Sequence, residues 1–545
     1  MPRRSRTPHA AHRPLLVVLV ALLLGLSLAG PPAQARSGGR PGGGGGATDT
    51  VVRGIDVDRA TIPQLQRLMD RHRLTSGQLV RFYTRRIAQL NPRLHAVITV
   101  SRTAAADARR ADQLRRRGDR RPMLGIPVLV KDNVNTTGMP TTAGSLALKG
   151  STPPDAFIVR RLEAAGAIVL GKTNLSEWAN YRSSNSTSGW SAVGGQTNNP
   201  YVLDRNPCGS SSGSGVAAAA DLATVAIGTE TDGSIVCPAG QNGDVGVKPT
   251  LGLASRTGIV PISAQQDTAG PITRNVTDAA VVLGALTGVD PADDATTAQR
   301  GHVRRDYTRV LSRRSLRGAR IGVWREGNFG ASAPTDAIME RTIRRLRSLG
   351  ATVVDPTDIP IEPAYDPEGT ALSYEFKHDV AAYLRRWTAP RYPKSLADLI
   401  AFNTANASTE LRYFGQEVFE ESQARGPLSD PAYVTARRDA TRIAREAIDS
   451  TLAAHHLDAV IAPTNSPAWR TTLGQGDDFV LGSSSPSAIS GYPSVTVPAG
   501  YSGPLPVGVS FIGGRWAEPR LLSLAYAWEQ ATGVRRKPTY LPTTD

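Results

Sequence analysis

Residues 125–227 alternate short apolar runs with stretches of helical periodicity, and this alternation restricts the fold more than any other feature of the chain. Strands are predicted at residues 125–130, 167–170 and 223–227, with a helix at about residues 156–165. Strands that are joined by helices usually pair in parallel and need both faces of their sheet covered. The pattern therefore predicts an α/β fold with a mixed, largely parallel central sheet covered by helices on both faces.

The same sheet is expected to continue into the C-terminal half of the chain. Further short apolar runs predict strands there, at residues 320–324, 352–354, 459–462 and 494–497. Residues 360–440 are instead helical, aromatic and less regular, and we interpret them as a variable helical insertion that serves as a lid or specificity element. Because no repeat and no linker interrupts residues 55–545, we expect a single large domain over that range.

The first 54 residues are expected to comprise a targeting segment and a linker. A basic segment, an apolar run and the small-x-small sequence Ala33-Gln34-Ala35 predict a signal peptide at residues 1–35. Residues 36–54 are predicted to be a glycine-rich linker. An uncleaved N-terminal anchor is the alternative, although the apolar run is short for a membrane span. We therefore expect a secreted protein without stable membrane association.

The net charge of +16 does not by itself indicate a nucleic-acid partner. The basic residues are scattered along the chain. It shows neither a basic face interleaved with aromatic side chains nor a known nucleic-acid-recognition motif. A solvated, arginine-rich surface is the better interpretation. The sequence has two cysteines and no H-E-x-x-H motif, so it predicts no metal site and no cofactor.

A serine-rich loop lies on each side of the predicted strand at residues 223–227. Ser234 follows that strand at the end of the segment GTETDGS, residues 228–234. Successive backbone N–H groups in such a loop can converge on one point, where they stabilise the oxyanion of an acyl transfer beside a serine nucleophile. Taken alone, however, Ser234 is more simply interpreted as a capping serine at a strand-to-helix turn.

Lys131 follows the predicted strand at residues 125–130 directly. Lysine is rarely buried without a partner. If the end of the apolar strand desolvates it, its pKa falls and the neutral amine can act as a base. A surface ion pair with Asp132 is the alternative, and these residues alone leave both interpretations open.

The serine-rich segments and the lysine together resemble the amidase signature family. PCGSSSGS (residues 207–214) and GTETDGSIVCPA (residues 228–239) are most similar to the corresponding segments of the bacterial peptide amidases within it. Other similar segments extend the resemblance over roughly residues 55–535, and it is weakest between about 360 and 440. The resemblance implies a cofactor-free serine hydrolase with a Ser-Ser-Lys triad.

The resemblance also assigns the roles of the site residues. It implies that Ser234 is the nucleophile, that Lys131 is the base, and that Ser210 is the bridge that relays the proton between them. A cis peptide bond is expected before Ser210. The oxyanion hole is expected to consist of backbone N–H groups, those of Thr231, Asp232, Gly233 and Ser234.

The chain departs from the common family pattern at positions that bear on the substrate. Cys208 and Ser212 replace two glycines of the usual first loop, and Asp232 stands where glycine is usual. Many family members carry arginine two residues after the nucleophile, where it can hold a substrate carboxylate, but this chain has Val236. We therefore expect a longer, neutral substrate, namely a peptide with a C-terminal carboxamide that is deamidated with release of ammonia.

The sequence is also compatible with other functions. A general aliphatic or aryl amidase or esterase of the same family is the first alternative, and a non-catalytic secreted peptide-binding protein on the same scaffold is the second. One component of the tRNA-dependent amidotransferases shares the signature, but the predicted export opposes it. The segment Gly209–Gly213 also matches G-x-S-x-G, the nucleophile elbow of α/β-hydrolases, which would make Ser211 the nucleophile.

Cys208 and Cys237 are the only cysteines of the chain. Each lies two or three residues from a predicted catalytic serine, so contact between the two serines would bring the sulfur atoms close together. A disulfide suits an exported protein. Two free buried thiols are the alternative, because loop geometry can forbid the bond.

Overall fold

An eleven-stranded sheet lies at the centre of residues 49–544, the part of the chain that the computed structural model describes. Four further strands in this part form two small two-stranded sheets. The strands are β1 (Val51–Val52), β2 (Ile55–Asp56), β3 (Val97–Val100), β4 (Pro127–Lys131), β5 (Ile168–Thr173), β6 (Trp190–Ser191), β7 (Gly195–Gln196), β8 (Val225–Glu230), β9 (Val245–Lys248), β10 (Thr268–Thr273), β11 (Arg320–Val323), β12 (Thr352–Val354), β13 (Ala459–Pro463), β14 (Ser494–Ser502) and β15 (Leu505–Ile512).

Helices flank the large sheet. Those among the described residues are α1 (Ile62–Asp70), α2 (Ser76–Leu94), α3 (Ala104–Arg116), α4 (Phe157–Ala164), α5 (Ser212–Ala219), α6 (Val236–Gln241), α7 (Val276–Leu286), α8 (Ala333–Ser348), α9 (Tyr365–Trp387), α10 (Leu396–Ala405), α11 (Ala407–Glu410), α12 (Glu417–Ala424), α13 (Pro431–His455), α14 (Ser485–Ser490) and α15 (Glu518–Thr532). None of them is long and apolar enough to span a membrane.

The large sheet is mixed. Its strand order is β12-β11-β13-β15-β14-β9-β10-β8-β4-β5-β3. Parallel pairing occurs within two groups of three neighbours, β12-β11-β13 and β8-β4-β5, and the other six pairs are antiparallel. The predicted mixed α/β sheet is confirmed. Its parallel part is smaller than expected, because the middle of the sheet consists of antiparallel strands, of which β14 was predicted and β9, β10 and β15 were not.

Both faces of the sheet are covered. Every residue of β4, β8, β13 and β15 is buried. Successive side chains of a strand point to opposite faces, so burial of all of them requires packing on each side. This agrees with the sequence-based expectation that helices cover the sheet on both faces.

The register of β4 and β8 determines where the predicted site residues lie. The two strands are parallel neighbours, with Val130 opposite Ile227. Their C-terminal ends therefore meet at one edge of the sheet. Lys131 is the last residue of β4, and residues 231–235 connect β8 to α6 at the same edge. The lysine and the second serine loop are thus brought together by the pairing of these two strands.

The described residues form one compact unit. The predicted signal peptide and most of the predicted linker lie outside residues 49–544. The linker prediction is too long at its C-terminal end, because Val51–Val52 pairs with Ile55–Asp56 and so belongs to the folded unit. Residues 360–440 form a succession of helices, from α9 into α13.

Candidate active site

Lys131 is completely buried at the end of β4. Its Nζ lies 2.7 Å from Ser210 Oγ, 2.9 Å from Thr229 Oγ1 and 3.3 Å from the Thr229 carbonyl oxygen. Burial lowers the pKa of Lys131 from 10.5 to about 7, and the charges of Asp267 and Glu230 oppose only part of that shift. The neutral amine is therefore well populated near neutral pH, where it is able to accept a proton.

The alternative interpretation of Lys131, a surface ion pair with Asp132, is wrong. Asp132 is itself buried. Its carboxylate accepts hydrogen bonds from the Thr142 N–H and hydroxyl groups and lies 3.3 Å from Lys172 Nζ. Successive residues at the end of a strand point in opposite directions, so Lys131 and Asp132 belong to different networks although they are neighbours in sequence.

The first serine loop places Ser210 beside the amine of Lys131. A cis peptide bond joins Gly209 to Ser210, as the family resemblance implies. A Cβ atom on Gly209 would lie 2.2 Å from Ser176 Oγ, so only glycine fits at this position. Ser210 is completely buried, and its carbonyl oxygen accepts a hydrogen bond of 3.1 Å from the Ser176 N–H. The backbone on both sides of the Ser210 hydroxyl is therefore fixed by packing and hydrogen bonding.

The second serine loop, between β8 and α6, presents Ser234. Its exposed fraction is 8%, against 0% for Ser210 and Lys131, so it is the most accessible of the three residues. The Ser211 N–H donates to the Ser234 carbonyl oxygen over 3.2 Å, which joins the two serine loops directly. The N–H groups of residues 231–234 donate to no acceptor within residues 49–544. Unpaired N–H groups gathered in one turn are suited to bind an oxyanion.

Glu230 fixes the far side of this loop. One of its buried carboxylate oxygens accepts hydrogen bonds from the N–H groups of Ile235 (2.7 Å) and Val236 (3.0 Å). Burial raises the pKa of Glu230. Because those two N–H groups follow Ser234 immediately, the carboxylate holds the turn into α6 while the four preceding N–H groups stay unpaired.

Thr229 contacts the site but was not among the predicted residues. Its hydroxyl oxygen lies 2.9 Å from Lys131 Nζ and 2.9 Å from Asn133 Nδ2, so one side chain of β8 holds the last side chain of β4 and one that follows this strand. A signal for it was present in the sequence. Both strands are apolar runs that end in polar residues, and parallel pairing brings such ends together.

Two further carboxylates, of Asp267 and Asp232, form hydrogen bonds that connect the second serine loop to neighbouring segments. Asp267 accepts a hydrogen bond of 2.6 Å from the Thr231 hydroxyl and two more from the N–H groups of residues 262–263. Burial raises the pKa of Asp267 to about 7. Asp232, which replaces the usual glycine, accepts a hydrogen bond from the Ser484 hydroxyl. This departure from the family pattern therefore connects the loop to the segment before α14.

A disulfide bond joins Cys208 to Cys237, with Cα atoms 5.9 Å apart. The alternative of two free thiols is wrong. Cys208 lies two residues before Ser210, and Cys237 lies three residues after Ser234. The bond therefore links the two serine loops covalently, and Trp469 packs against it.

The environment of Ser211 does not favour the nucleophile-elbow interpretation. Ser211 is completely buried. Its hydroxyl donates to the Thr229 carbonyl oxygen (3.0 Å) and accepts from the Thr229 N–H (3.2 Å). The hydroxyl is thus engaged as donor and as acceptor by β8, and it attaches the first serine loop to that strand.

The arrangement brings the three predicted triad residues to one edge of the sheet, beside unpaired backbone N–H groups. A buried neutral amine, a hydroxyl in contact with it and a more accessible serine are the groups needed to activate an alcohol and add it to a carbonyl carbon. The N–H groups suit the oxyanion that this addition creates. Within the described residues, no three His, Cys, Asp or Glu side chains are grouped as metal ligands.

Comparison with known proteins gives the family. The Amidase family model matches residues 78–522. The crystal structure of native peptide amidase from Stenotrophomonas maltophilia is similar at 51% identity and a TM-score of 0.85, covering 88% of this chain and 99% of that one. A probable amidase of Arabidopsis thaliana is 41% identical over 500 residues, which is 89% of this chain and 93% of that protein.

A solved structure of lower identity agrees with these two. The crystal structure of an amidase family protein from Bacillus anthracis is 36% identical with a TM-score of 0.81, and the match covers 89% of this chain and 93% of that one. The residues that the family model matches include the whole eleven-stranded sheet and both serine loops. The chain therefore belongs to the amidase family and is an amide-hydrolysing enzyme.

Proposed function

We propose that the enzyme acts through an acyl-enzyme on Ser234, with Ser210 and Lys131 as its proton relay. The observation that carries this proposal is the contact of 2.7 Å between Lys131 Nζ and Ser210 Oγ. That contact is completely buried, and burial lowers the pKa of Lys131 to about 7. A lysine with its usual pKa would be charged at neutral pH and could not accept the proton.

The first half-reaction forms the ester. The Ser234 oxygen bonds to the carboxamide carbon while its proton moves to Ser210, whose own proton moves to Lys131 Nζ. The carbonyl oxygen becomes an oxyanion, which the N–H groups of residues 231–234 stabilise. When the C=O bond re-forms, the C–N bond breaks, and the relay returns one proton to the nitrogen so that ammonia leaves.

The second half-reaction frees the enzyme. A water molecule gives its proton to the same relay and attacks the ester carbon of the acyl-enzyme. The second tetrahedral intermediate is held by the same N–H groups. Its collapse breaks the bond to the Ser234 oxygen, which takes the proton back, and the product leaves as a free carboxylic acid.

We propose further that the substrate is the C-terminal carboxamide of a peptide. Val236 is 2% exposed and takes the place of the arginine that can hold a substrate carboxylate in many family members, so a small acidic amide would find no charge partner there. The similarity to the Stenotrophomonas peptide amidase supports the same choice. A general aliphatic or aryl amidase or esterase is the runner-up, because it uses the same catalytic groups.

Release of ammonia from a panel of substrates tests both parts of this proposal. The panel contains C-terminally amidated peptides, the matched free acids, and simple aliphatic and aryl amides, and simple esters are followed by acid release. We expect release from the peptide amides, and we expect Ser234→Ala and Lys131→Ala each to lower kcat by about a thousandfold or more. Lys149→Ala, which removes an exposed lysine, is the matched control and is expected to retain full activity.

Each other outcome has a definite meaning. Activity on simple amides or esters alone would keep the mechanism and reject the peptide substrate. Activity that survives Ser234→Ala would reject the assigned nucleophile. Peptide binding without turnover by the wild-type protein would favour the non-catalytic alternative.

We propose that the protein is exported and that residues 1–35 are removed as a signal peptide. The disulfide bond supports export, because such bonds persist in oxidising compartments and are rare in the cytosol. N-terminal sequencing of protein recovered from the medium of producing cells is expected to begin at Arg36. An intact N-terminus in the membrane fraction would instead indicate the uncleaved anchor.

A further inference from the structure

Residues 471–482 form a loop with an unusual amount of exposed apolar surface. Leu473, Phe479 and Val480 are 37%, 51% and 48% exposed. They are three of the nine large apolar side chains that are this exposed within residues 49–544, yet they lie within eight residues of one another. Single exposed apolar residues are normal on a protein surface, but clustered ones mark a binding site.

One end of the 471–482 loop is attached to the first serine loop through Trp469. The Phe479 ring packs edge-to-face on Trp469, with the ring centroids 5.9 Å apart. Trp469 in turn packs against the disulfide between Cys208 and Cys237. The Trp469 carbonyl oxygen accepts a hydrogen bond of 2.8 Å from the Asn206 N–H, which lies just before that disulfide. Phe479 is therefore one aromatic ring away from the bond that links both serine loops.

The other end of the loop is attached to the second serine loop. Ser484 follows the 471–482 loop by two residues, and its hydroxyl donates to the carboxylate of Asp232. The Ser484 oxygen also lies 3.0 Å from the position that a Cβ atom on Gly233 would take. Asp232 and Gly233 belong to the turn whose N–H groups are unpaired beside Ser234. The loop is thus attached at both ends to the two serine loops.

A hydrogen bond to Ser188 and a close contact within the loop also hold its middle in place. Asp477 accepts a hydrogen bond of 2.9 Å from the Ser188 N–H. Gly482 allows the Phe479 ring to approach the backbone, because a Cβ atom at Gly482 would lie 2.6 Å from the ring. The exposed faces of Phe479 and Val480 are therefore carried by an anchored loop.

We propose that Phe479 and Val480 form a subsite for an apolar side chain at the amidated end of a peptide substrate. This inference rests on the proposed function and specifies its substrate class. The subsite lies beside the serine loops, so a peptide whose carboxamide reaches Ser234 brings its last side chains towards the 471–482 loop. Contact with an apolar side chain removes the exposed surface of both residues from water, which favours binding.

Selectivity between matched substrates tests the subsite. The substrates are the acetylated dipeptide amides Ac-Ala-Phe-NH2, Ac-Phe-Ala-NH2 and Ac-Ala-Ala-NH2, and kcat/KM is measured by ammonia release. We expect the wild-type enzyme to prefer one or both of the phenylalanine substrates. We expect Phe479→Ser to lower that preference about tenfold and Val480→Ser to lower it severalfold, since each removes part of the apolar wall.

A matched control distinguishes this effect from any loss of surface hydrophobicity. Val434→Ser removes a similarly exposed valine, 51% against 48% for Val480, from helix α13 rather than from the 471–482 loop. It is expected to leave the preference unchanged. Thermal unfolding of all variants checks that the fold is retained, which the exposure of the substituted side chains favours.

The outcomes separate the subsite from the function on which it depends. If the wild-type enzyme deamidates all three substrates and Phe479→Ser leaves their ratio unchanged, the subsite is rejected and the peptide-amide function stands. If the wild-type enzyme deamidates none of them, the proposed function fails and the subsite with it. A preference that falls in Phe479→Ser and Val480→Ser but not in Val434→Ser supports the subsite.

Discussion

The pH dependence of kcat/KM tests the chemical state of Lys131 directly. With a pKa of about 7, roughly half of the Lys131 amine is neutral at pH 7 and nearly all of it at pH 9. The rate is therefore expected to rise only about twofold between these values. For a lysine with its usual pKa near 10.4, the neutral fraction would instead increase about a hundredfold between pH 7 and pH 9. Rates of ammonia release from one neutral peptide amide, measured from pH 5 to pH 10, separate the two cases.

Stability measurements give a second test that does not depend on turnover. The pKa of Lys131 in the folded protein, about 7, lies below its unfolded value of 10.5, so the unfolded chain holds one more proton between these two pH values. The free energy of unfolding of the wild-type protein must therefore rise with pH relative to Lys131→Met, which has no amine to protonate. From pH 8 to pH 10 the expected gain is about 2.5 kcal/mol.

The comparison with Lys131→Met cancels groups that titrate in both proteins over this range, such as Lys248, whose pKa burial lowers to about 8. Asp267, whose pKa is raised to about 7 in the wild-type protein, is largely ionised there above pH 8. Lys149→Met removes an exposed lysine and is expected to show no pH-dependent difference from wild type. The assignment of Lys131 as the base would be refuted by a rate that keeps rising tenfold per pH unit above pH 8, together with equal stability slopes for wild type and Lys131→Met.

Three further changes test the two serine loops and the buried ion pair between Arg437 of α13 and Glu375 of α9, each by urea unfolding and by kcat/KM on a peptide amide. Ser211→Ala removes a buried hydroxyl that bonds to β8, so we expect the free energy of unfolding to fall by about 1–3 kcal/mol while activity is retained. Abolished activity would instead favour the nucleophile elbow. Replacing Cys208 and Cys237 together by serine opens a covalent loop with a sequence separation of 29. We expect the free energy of unfolding to fall by about 3.5 kcal/mol and kcat to be lower. Arg437→Met leaves the Glu375 carboxylate buried without its guanidinium partner, and we expect the free energy of unfolding to fall by about 3–5 kcal/mol. A fall of less than about 1 kcal/mol would contradict this expectation.

The parts of the fold that were predicted are those in which local sequence and tertiary environment agree. The strand β4 is an apolar run up to its last residue, Lys131, and was found within two residues of its predicted position. The strand β10, with the sequence TAGPIT, was missed because glycine and proline disfavour strands. Gly270 is nevertheless required there, since a Cβ atom would lie 2.0 Å from the Val247 carbonyl oxygen of the neighbouring strand. Only the packed sheet reveals that requirement.

The site was predicted unevenly for a similar reason. Ser210, Ser234 and Lys131 were identified through a joint match of motifs, whereas the residues by themselves left each interpretation open. Thr229 belongs to no such motif, and its role follows from the pairing of β8 with β4, which places its hydroxyl 2.9 Å from Lys131 Nζ. Sequence neighbours were misleading in one case. Asp132 follows Lys131 in the chain, but its carboxylate pairs with Lys172, because successive side chains of a strand point to opposite faces of the sheet.

The disulfide connects the geometry of the site to the compartment in which the protein is proposed to work. Within the described residues, one backbone hydrogen bond, from Ser211 to Ser234, joins the two serine loops directly, and the bond between Cys208 and Cys237 is their covalent link. A site of this kind depends on holding its groups in a productive geometry, because misplacement by an ångström costs rate. In a reducing cytosol the covalent restraint would be absent. The proposed export agrees with this requirement, because the compartment predicted from the first 35 residues is one in which the restraint on the serine loops would persist.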